Sequence, residues 1–263
     1  MCIRDRFIVH GYNHEELLDI SKFLKENIHR GVIYGGANEY SILYDRILRN
    51  IIPFTLKGAL WYQGEANTRN FEDYQTLFSG MIADWREAWG YNFPFYYAQL
   101  APFPEAGTLG VREAQRKTLL TTKNTGMAVL MDIGEKDDIH PHNKQDVGKR
   151  FALLALNRDY NFNLVDSGPL YSNHKLVKGS IEISFDYVGS GLMVKGNLDG
   201  FEIAGDDDCF FPAKAHIEKD KIYVYSKEVK TPKNVRYGWE NYFDATLFNI
   251  EGLPASSFNS LNK

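Results

Sequence analysis

Polar side chains of the kind that do chemistry stand directly after an apolar run in the stretch LKGALWYQGEANTRN, residues 56–70. Gln63, Glu65 and Asn67 are an amide, a carboxylate and a second amide, and Gly64 separates the first two. A plain turn would need only the glycine. Residues 58–62 are typical of a short buried strand, and open α/β sheets bind ligands beyond the carboxyl ends of their strands. The pattern therefore predicts a functional site at this point.

A second set of reactive side chains lies in DIGEKDDIHPHNKQDVGKR, residues 132–150. Asp138 and His140 are two residues apart in a segment that Pro141 should keep extended, so both side chains are expected on one side. A carboxylate beside an imidazole selects its tautomer and stabilises its protonated form, as a hydrolase base requires. Asp137, three residues before the histidine, competes for the same role. From this segment alone, exposed loop residues explain the pattern equally well.

The same segment offers ligands for a metal ion. His140 and His142, with Asp137 or Asp138, could bind zinc. The sequence contains no cysteine cluster and no His-Glu-x-x-His pattern to support such a site. We therefore predict no metal site and no cofactor.

Alternating strands and helices are predicted to position both sets of residues. We expect strands at 57–62, 93–100 and 126–134, and helices within 70–90 and at 111–122 and 143–160. A further amphipathic helix is expected just upstream, ending at Pro53. This alternation indicates a parallel sheet with right-handed crossovers.

The pattern changes after about residue 162, where short runs with partial period-two alternation are separated by Gly, Asp, Asn and Pro. Such runs predict a small all-β unit, a sandwich. We therefore expect an uncertain N-terminal segment at 1–38, an α/β domain at 39–162 and a β domain at 163–263. His174 and His216 in the β domain are expected to be structural or exposed.

Composition narrows the function classes. The 263 residues are 44% hydrophobic and 24% charged, as in globular proteins. A net charge of −4 gives no reason to expect nucleic acid or an anionic membrane as a partner, and no apolar run is long enough to span a bilayer. Cys2 and Cys209 stand near opposite ends of the chain, so a disulfide is left open but no disulfide framework is implied. Nothing in the composition indicates an oligomeric state.

Together, KGALWYQGEAN and DDIHPHNKQDVGKRFALLAL resemble the sialate O-acetylesterase family, carbohydrate esterases of the SGNH (GDSL-like) hydrolase superfamily. DWREAWGYNFPFYYAQLAPF between them, and GFEIAG, VRYGW and EGLPASSF in the β region, extend the resemblance from about Glu39 to Phe258. It implies an SGNH-hydrolase-like three-layer α/β fold with a parallel sheet, followed by the sandwich-like β domain. It also implies an O-acetylated sugar or sialic acid as substrate.

The resemblance further implies hydrolysis of acetyl esters by a serine–histidine–aspartate mechanism. The base position matches His140, and Asp138 is assigned as the acid that orients it. Gln63, Gly64 and Glu65 match the Gln-Gly-Glu block, in which the glutamine would donate to the oxyanion. Glu65 is expected to hold the site in shape rather than to act as an acid.

Two nearby side chains have a less specific prediction. Asn67 and Arg69 could contact the sugar, or they could cap the helix that begins near Phe71. Capping is the favoured interpretation, because asparagine is a common N-cap residue.

The sequence departs from the family pattern at the nucleophile. The family's serine lies in a Gly-Gln-Ser-Asn block on the first strand, and no such block is present. Ser21 and Ser41 precede Trp61, but neither follows a strand with glycine flanks. A second oxyanion block is matched only weakly, by Gly35 and Gly36.

The N-terminal sequence itself leads to one expectation. MCIRDR joins nothing recognisable, and no signal peptide is evident. We therefore expect an N-terminal truncation that removes the first strand, the serine and any export signal, so that the sheet is incomplete and the chain alone is inactive. The full-length protein is expected to be secreted or periplasmic.

Three function classes remain open. The first is the carbohydrate O-acetylesterase, and the second is a non-catalytic carbohydrate-binding protein. The third is a glycosidase that uses Glu65 with Asp138. Gln63 and His140 favour the first class, because a glycosidase has no use for an imidazole base.

Overall fold

The computed structural model describes Tyr44, residues 48–52 and residues 54–261. Strands and helices alternate in the first half of this part. The strands are β1 (Ala59–Trp61), β2 (Phe95–Ala98) and β3 (Thr125–Ala128), and the helices are α1 (Tyr74–Trp89), α2 (Thr108–Thr121) and α3 (Lys144–Asp159). The strands pair in parallel in the order β1-β2-β3. The predicted α/β class and the parallel sheet are confirmed.

Alternate strand residues face opposite sides of this sheet, as the period of two requires. One face packs Phe95, Tyr97 and Met127 against α1 and α2, with Phe78 of α1 fully buried at the centre. The other face packs Tyr96, Ala98 and Leu130 against Val147 and Leu154 of α3. Helices therefore cover the sheet on both sides, and the unit has three layers.

The strands are shorter than the apolar runs predict. Gln99 still donates its backbone N–H to Ala128 at 2.8 Å, but the next N–H, that of Leu100, donates to the side chain of Gln115 at 2.7 Å. The ladder of β2 ends there because a side chain takes the place of the neighbouring strand. Beyond β3, a turn in which Ile133 donates to Leu130 at 3.1 Å ends the run predicted at 126–134.

In the second half of the described chain, all the regular elements are β-strands. Two four-stranded antiparallel sheets have the orders β4-β5-β10-β9 and β13-β11-β7-β8, and β6 pairs with β12. The strands are β4 (Leu170–Val177), β5 (Ser180–Asp186), β6 (Leu192–Val194), β7 (Phe201–Ala204), β8 (Phe211–Pro212), β9 (Lys214–Glu218), β10 (Lys221–Tyr225), β11 (Asn234–Tyr237), β12 (Leu247–Asn249) and β13 (Phe258–Asn259).

The two sheets enclose one apolar core. Ile181 and Ile183 of β5 and Ile222 of β10 share this core with Ile203 of β7 and Val235 of β11, so residues from both sheets contribute. Packing of two antiparallel sheets in this way is the sandwich arrangement that the short alternating runs predict. Sequence patterning did not find β4, whose alternation is interrupted by a bulge between Tyr171 and Asn173.

Hydrogen bonds join the sandwich to the α/β unit. The amide of Gln99 donates to the hydroxyl of Ser256 at 2.7 Å. The guanidinium of Arg112 donates to the backbone carbonyl of Asn241 at 2.8 Å and to that of Glu240. Phe103 adds a backbone bond to Asn241 at 3.0 Å. The sandwich therefore contacts the face where the loops after β2 emerge.

The segment between α3 and β4 is tied to the helix by an ion pair. Arg158 donates to Asp166 through Nε at 2.6 Å and through a second nitrogen at 3.3 Å, and Asn157 adds a bond to the same carboxylate at 2.9 Å. Arg158 also donates to the carbonyl of Thr125 at 2.9 Å. The predicted domain boundary near Asn163 lies inside the loop that these bonds close, and it stays a prediction.

Several sequence predictions fall on residues outside the described ranges. These are Cys2, Ser21, Gly35, Gly36, Ser41, Pro53 and most of the helix expected before residue 53. Within the described ranges, Arg49–Ile51 form a helical turn. Cys209 is exposed with a free thiol. Across the described residues, every helix is too short or too polar to cross a membrane.

Candidate active site

Gln63 follows the carboxyl end of β1 and is almost completely buried, with 4% of its surface exposed. Its Nε2 donates to Oδ1 of Asn67 at 2.6 Å, and the hydroxyl of Tyr74 lies 3.2 Å from its Oε1. Its backbone carbonyl accepts from Nε2 of Gln115 at 3.1 Å. A glutamine with these partners is held in a single orientation at the end of the strand.

Gly64 lets the chain turn while it stays close to α2. Its φ of +154° lies in the range that favours glycine, and a Cβ atom here would stand 2.9 Å from Cγ1 of Val111 and 3.5 Å from Cδ1 of Leu100. Any larger residue would push the turn away from the helix. The glycine predicted to shape the site therefore sets the distance between Gln63 and α2.

Asn67 does not cap the following helix, so the favoured interpretation of this residue is wrong. Its oxygen accepts from Gln63, and its nitrogen donates to Oδ1 of Asn70 at 3.3 Å. A 3₁₀ turn, Phe71–Asp73, precedes α1. The residues at the starts of these two helices, Asn70 and Asp73, make no side-chain capping bond. The physical reason is position, because Asn67 ends a separate 3₁₀ turn, Glu65–Asn67, and α1 begins only at Tyr74. Arg69 is exposed.

The loops after all three parallel strands meet at one small cavity. Its lining residues come from the turn after β1, the segment after β2, the start of α2 and the loop after β3: Glu65, Thr68, Leu100, Ala101, Phe103, Thr108 and Ile139. Ile139 stands between Asp138 and His140 in the chain. The two clusters that sequence analysis singled out therefore lie against the same cavity, with half-buried Glu65 on one side of it.

Asp138 and His140 lie on the same side of the loop, as their spacing predicts. Oδ1 of Asp138 accepts the backbone N–H of His140 at 2.8 Å, while Nδ1 of the imidazole lies 3.9 Å from the same oxygen. The second distance is about 1 Å longer than a hydrogen bond. The side chains are 43% and 57% exposed, respectively. The carboxylate thus holds the backbone of the loop, with the imidazole beside it.

The charge of Asp137 acts on Tyr242, a residue of the sandwich. Burial first, then a hydrogen bond to Asp244 and the charge of Asp137, raise the pKa of Tyr242 above its ordinary value. Tyr242 belongs to the segment of the sandwich that Arg112 binds.

A second carboxylate–imidazole pair lies in the same loop, and sequence analysis did not find it. Glu135 accepts the backbone N–H of His142 at 2.6 Å, and its other oxygen lies 2.8 Å from Nδ1 of the same residue. The hydrogen bond and the charge of Glu135 raise the pKa of His142, and the same contacts lower the pKa of Glu135. The seven-residue separation gives no local signal for this pair.

The candidate metal ligands are grouped differently from the prediction. Ligand atoms of Glu135, Asp138 and His142 lie within 4.8 Å of one another. The proposed partnership of His140 with His142 does not appear in this group. Both oxygens of Glu135 already contact His142, so the group is explained by the hydrogen bonds of the loop.

Helix α2 carries polar residues into the interior, which sequence analysis also missed. Arg112, Glu113, Gln115 and Arg116 are all buried, and Glu113 and Arg116 form an ion pair at 2.7 Å. Burial lowers the pKa of Arg112 to about 9. The sequence did contain a signal. VREAQRKT has few apolar residues for a helix that must cover a buried sheet, so some of its polar residues have to lie in the interior.

Comparison with known proteins gives one consistent result. A family model described as a carbohydrate esterase, sialic acid-specific acetylesterase, matches residues 24–157, about half of the chain. The chain is 31% identical to the sialate O-acetylesterase of Homo sapiens over 257 residues and 27% identical to that of Mus musculus, in each case over 85% of this chain.

A solved structure agrees. A novel carbohydrate acetylesterase from Xanthomonas citri superposes with a TM-score of 0.79 at 40% identity, and the match covers 85% of this chain and 55% of that one. The chain spans about half the length of the curated relatives, 49% of the human protein and 48% of the mouse protein. On these matches, the chain belongs to the family of sialic acid-specific carbohydrate acetylesterases.

Proposed function

We propose that this protein is a carbohydrate O-acetylesterase that hydrolyses acetyl esters on sugars by a serine–histidine–aspartate mechanism. The observation that carries the proposal is the meeting of the two motif clusters at one cavity beyond the parallel strands, lined by Glu65 and Ile139. Open α/β sheets bind ligands at this edge. Family membership supports the ester chemistry and an acetylated carbohydrate as substrate.

In this proposal a serine oxygen attacks the acetyl carbonyl, and His140 takes the proton from that oxygen. The sugar hydroxyl leaves with a proton from His140, and water then releases acetate from the acyl-serine by the same route in reverse. Negative charge develops on the carbonyl oxygen in both steps. Gln63 donates an N–H to that oxygen, and a buried donor of this kind lowers the barrier by about 3–4 kcal/mol.

Asp138 is proposed as the acid that orients His140. Its carboxylate already accepts the backbone N–H of His140 at 2.8 Å and lies 3.9 Å from Nδ1, so a small rotation of the ring would complete the bond. Asp137, three residues before the histidine, is the weaker candidate. Glu65 is proposed to shape the cavity.

The nucleophile is the part of the mechanism for which the printed sequence offers no matching motif. We propose that neither Ser21 nor Ser41 serves, because neither has the glycine-flanked position after a strand. An imidazole can take a proton only from a nucleophile held within about 3 Å. The 263-residue chain alone is therefore proposed to be inactive, and a secreted or periplasmic location is proposed for the complete enzyme.

A fluorophosphonate probe, which labels activated serines, tests this proposal. The chain is treated as it stands and after fusion to a segment from a related esterase that carries a Gly-Gln-Ser-Asn strand. We expect no labelling of the bare chain, and stoichiometric labelling with acetate release for the fusion. His140→Ala in the fusion is the matched control and should abolish both.

Two substrates separate the possible sugars, an O-acetylated sialic acid and an acetylated neutral oligosaccharide. Release of acetate from either one supports the esterase, and the preferred one identifies the substrate class. Stoichiometric labelling of the bare chain at Ser21 or Ser41 would contradict the assignment of the nucleophile. Sugar binding by the fusion without acetate release would support the non-catalytic binding protein instead.

A further inference from the structure

A single backbone N–H sets the orientation of a chain of buried amides that ends at Gln63. The N–H of Leu100 donates at 2.7 Å to the side chain of Gln115. A backbone N–H can only donate, so the atom of Gln115 that faces it is the oxygen, Oε1. The nitrogen of the same amide therefore faces the backbone carbonyl of Gln63 at 3.1 Å and the hydroxyl oxygen of Tyr74 at 3.4 Å.

The hydroxyl of Tyr74 links the orientation of the Gln115 amide to that of the Gln63 amide. Its oxygen accepts an N–H from Gln115, and among the described residues its hydrogen has two acceptors at 3.2 Å, the backbone carbonyl and Oε1 of Gln63. The carbonyl already accepts from Gln115, so the hydroxyl hydrogen satisfies Oε1. The nitrogen of Gln63 is then turned to the opposite side, where Oδ1 of Asn67 accepts one of its hydrogens at 2.6 Å.

The second hydrogen on Nε2 of Gln63 has no acceptor among the residues that the structure describes. Reversal of the amide would place Oε1 against Oδ1 of Asn67 and leave the site without a donor. These hydrogen-bonded side chains are all buried, and those of Gln115 and Tyr74 are completely so: Gln63, Asn67, Tyr74 and Gln115. In such a site an unsatisfied polar atom is costly, so the contacts around Gln63 strongly favour one of its two orientations.

We propose that Tyr74 and Gln115 are positioning residues, which hold the amide of Gln63 so that one N–H is always presented to the reacting carbonyl. The inference rests on the proposed function of Gln63 as oxyanion donor. Donors that are oriented before the reaction need no reorganisation when charge develops. Removal of the Tyr74 hydroxyl leaves Oε1 of Gln63 without its donor, so that Asn67 alone holds the amide and its orientation is less strongly fixed.

The first test is independent of activity and uses the 263-residue chain. Tyr74→Phe is compared with Tyr97→Phe, a matched control that removes another buried hydroxyl, one that donates to the backbone carbonyl of Gln115 at 2.9 Å. Hydrogen exchange of the Gln63 side-chain amide is followed by ¹⁵N NMR, with its signals identified by their loss in Gln63→Ala. We expect exchange at least about tenfold faster in Tyr74→Phe and little change in Tyr97→Phe. Equal exchange in the wild type and Tyr74→Phe would overturn the proposal.

The second test measures acetate release in the active fusion. Tyr74→Phe should lower kcat about tenfold with KM within about twofold, and it should add nothing to the loss caused by Gln63→Ala. Additive losses would show that Tyr74 supports the fold rather than the amide. If the fusion releases no acetate although the exchange result holds, the orientation of Gln63 stands and the esterase proposal fails.

Discussion

The carboxylate of Asp138 lies closer to the backbone of His140 than to its ring. The same oxygen, Oδ1, is 2.8 Å from the backbone nitrogen and 3.9 Å from Nδ1. Asparagine at this position can keep an oxygen for the backbone N–H, while it removes the charge and replaces the other oxygen with an NH₂ group. The contribution of the carboxylate to the loop can therefore be separated from its contribution to the chemistry.

His140→Ala is expected to lower kcat at least about a thousandfold in the active fusion, because members of a catalytic triad act as a unit. Asp138→Asn should cost at least about a hundredfold with the loop intact, and Asp137→Asn should stay within a few-fold. Turnover is measured by acetate release, and circular dichroism checks the fold. A larger loss for Asp137→Asn than for Asp138→Asn would transfer the acid role to Asp137.

His142 is expected to titrate above the ordinary histidine value of about 6.5, because its hydrogen bond to Glu135 favours the imidazolium. The folded-state pKa of His142 is raised, so its contribution to stability is fully present below about pH 6.5, as long as Glu135 is ionised, and is lost as pH rises through the folded-state value. Both groups face solvent, so the pKa is best read by NMR titration of the imidazole.

Glu135→Gln should lower the pKa of His142 toward the ordinary value. An unchanged titration of His142 in this variant would show that Glu135 does not hold the ring in solution.

Asp84 is expected to make the fold less stable as pH rises. Its Oδ2 is buried without a hydrogen-bond partner among the described residues, and burial followed by the charge of Glu87 raises its pKa to about 7. The folded protein binds this proton more tightly than the unfolded chain, so the contribution to stability is lost between about pH 4 and pH 7. Between pH 5 and pH 8 the Tm of the wild type should fall more than that of Asp84→Asn. Parallel curves for the two proteins would refute a raised pKa.

Arg112→Met is expected to destabilise the protein by at least about 2 kcal/mol, because it removes the hydrogen bonds that the fully buried guanidinium donates to the carbonyls of Glu240 and Asn241. Arg112→Lys keeps a cation but cannot reach both carbonyls with the same geometry. Its free energy of unfolding should therefore lie between those of the wild type and Arg112→Met. Urea denaturation measures both variants. A loss under about 0.5 kcal/mol for the methionine variant would mean that this contact does not hold the sandwich in place.

Replacing both His174 and His216 with glutamine should leave acetate release within a few-fold of the parent fusion. The ring of His174 bridges the hydroxyl of Tyr171 at 2.6 Å and the carbonyl of Lys233 at 2.7 Å, and His216 stacks on Tyr223 with ring centroids 5.4 Å apart. These contacts belong to the sandwich. A collapse of turnover with the fold preserved would place one of these histidines in the reaction.

Local spacing predicted the helices and the parallel sheet because both depend on periodic apolar residues, such as Phe78 in α1. It could not predict where β2 ends, since the bond that ends it comes from Gln115, fifteen residues from Leu100. Residue type singled out Gln63 and His140, whose chemistry is recognisable in isolation. Tyr74, Gln115 and Glu135 were missed because nothing but their tertiary placement distinguishes them from ordinary polar residues.

The ion pair between Arg158 and Asp166 decides where this protein could be divided. By sequence the sandwich begins near residue 163, but Asp166 is bonded to α3 and, through Arg158, to the first residue of β3. A recombinant joint at 163 would take the carboxylate away with the sandwich and leave the half-buried guanidinium of Arg158 without it. A joint after residue 167 would keep the pair with the parallel sheet. Exchange of sandwiches between relatives, in the laboratory or during evolution, should therefore tolerate the later crossover point and select against the earlier one.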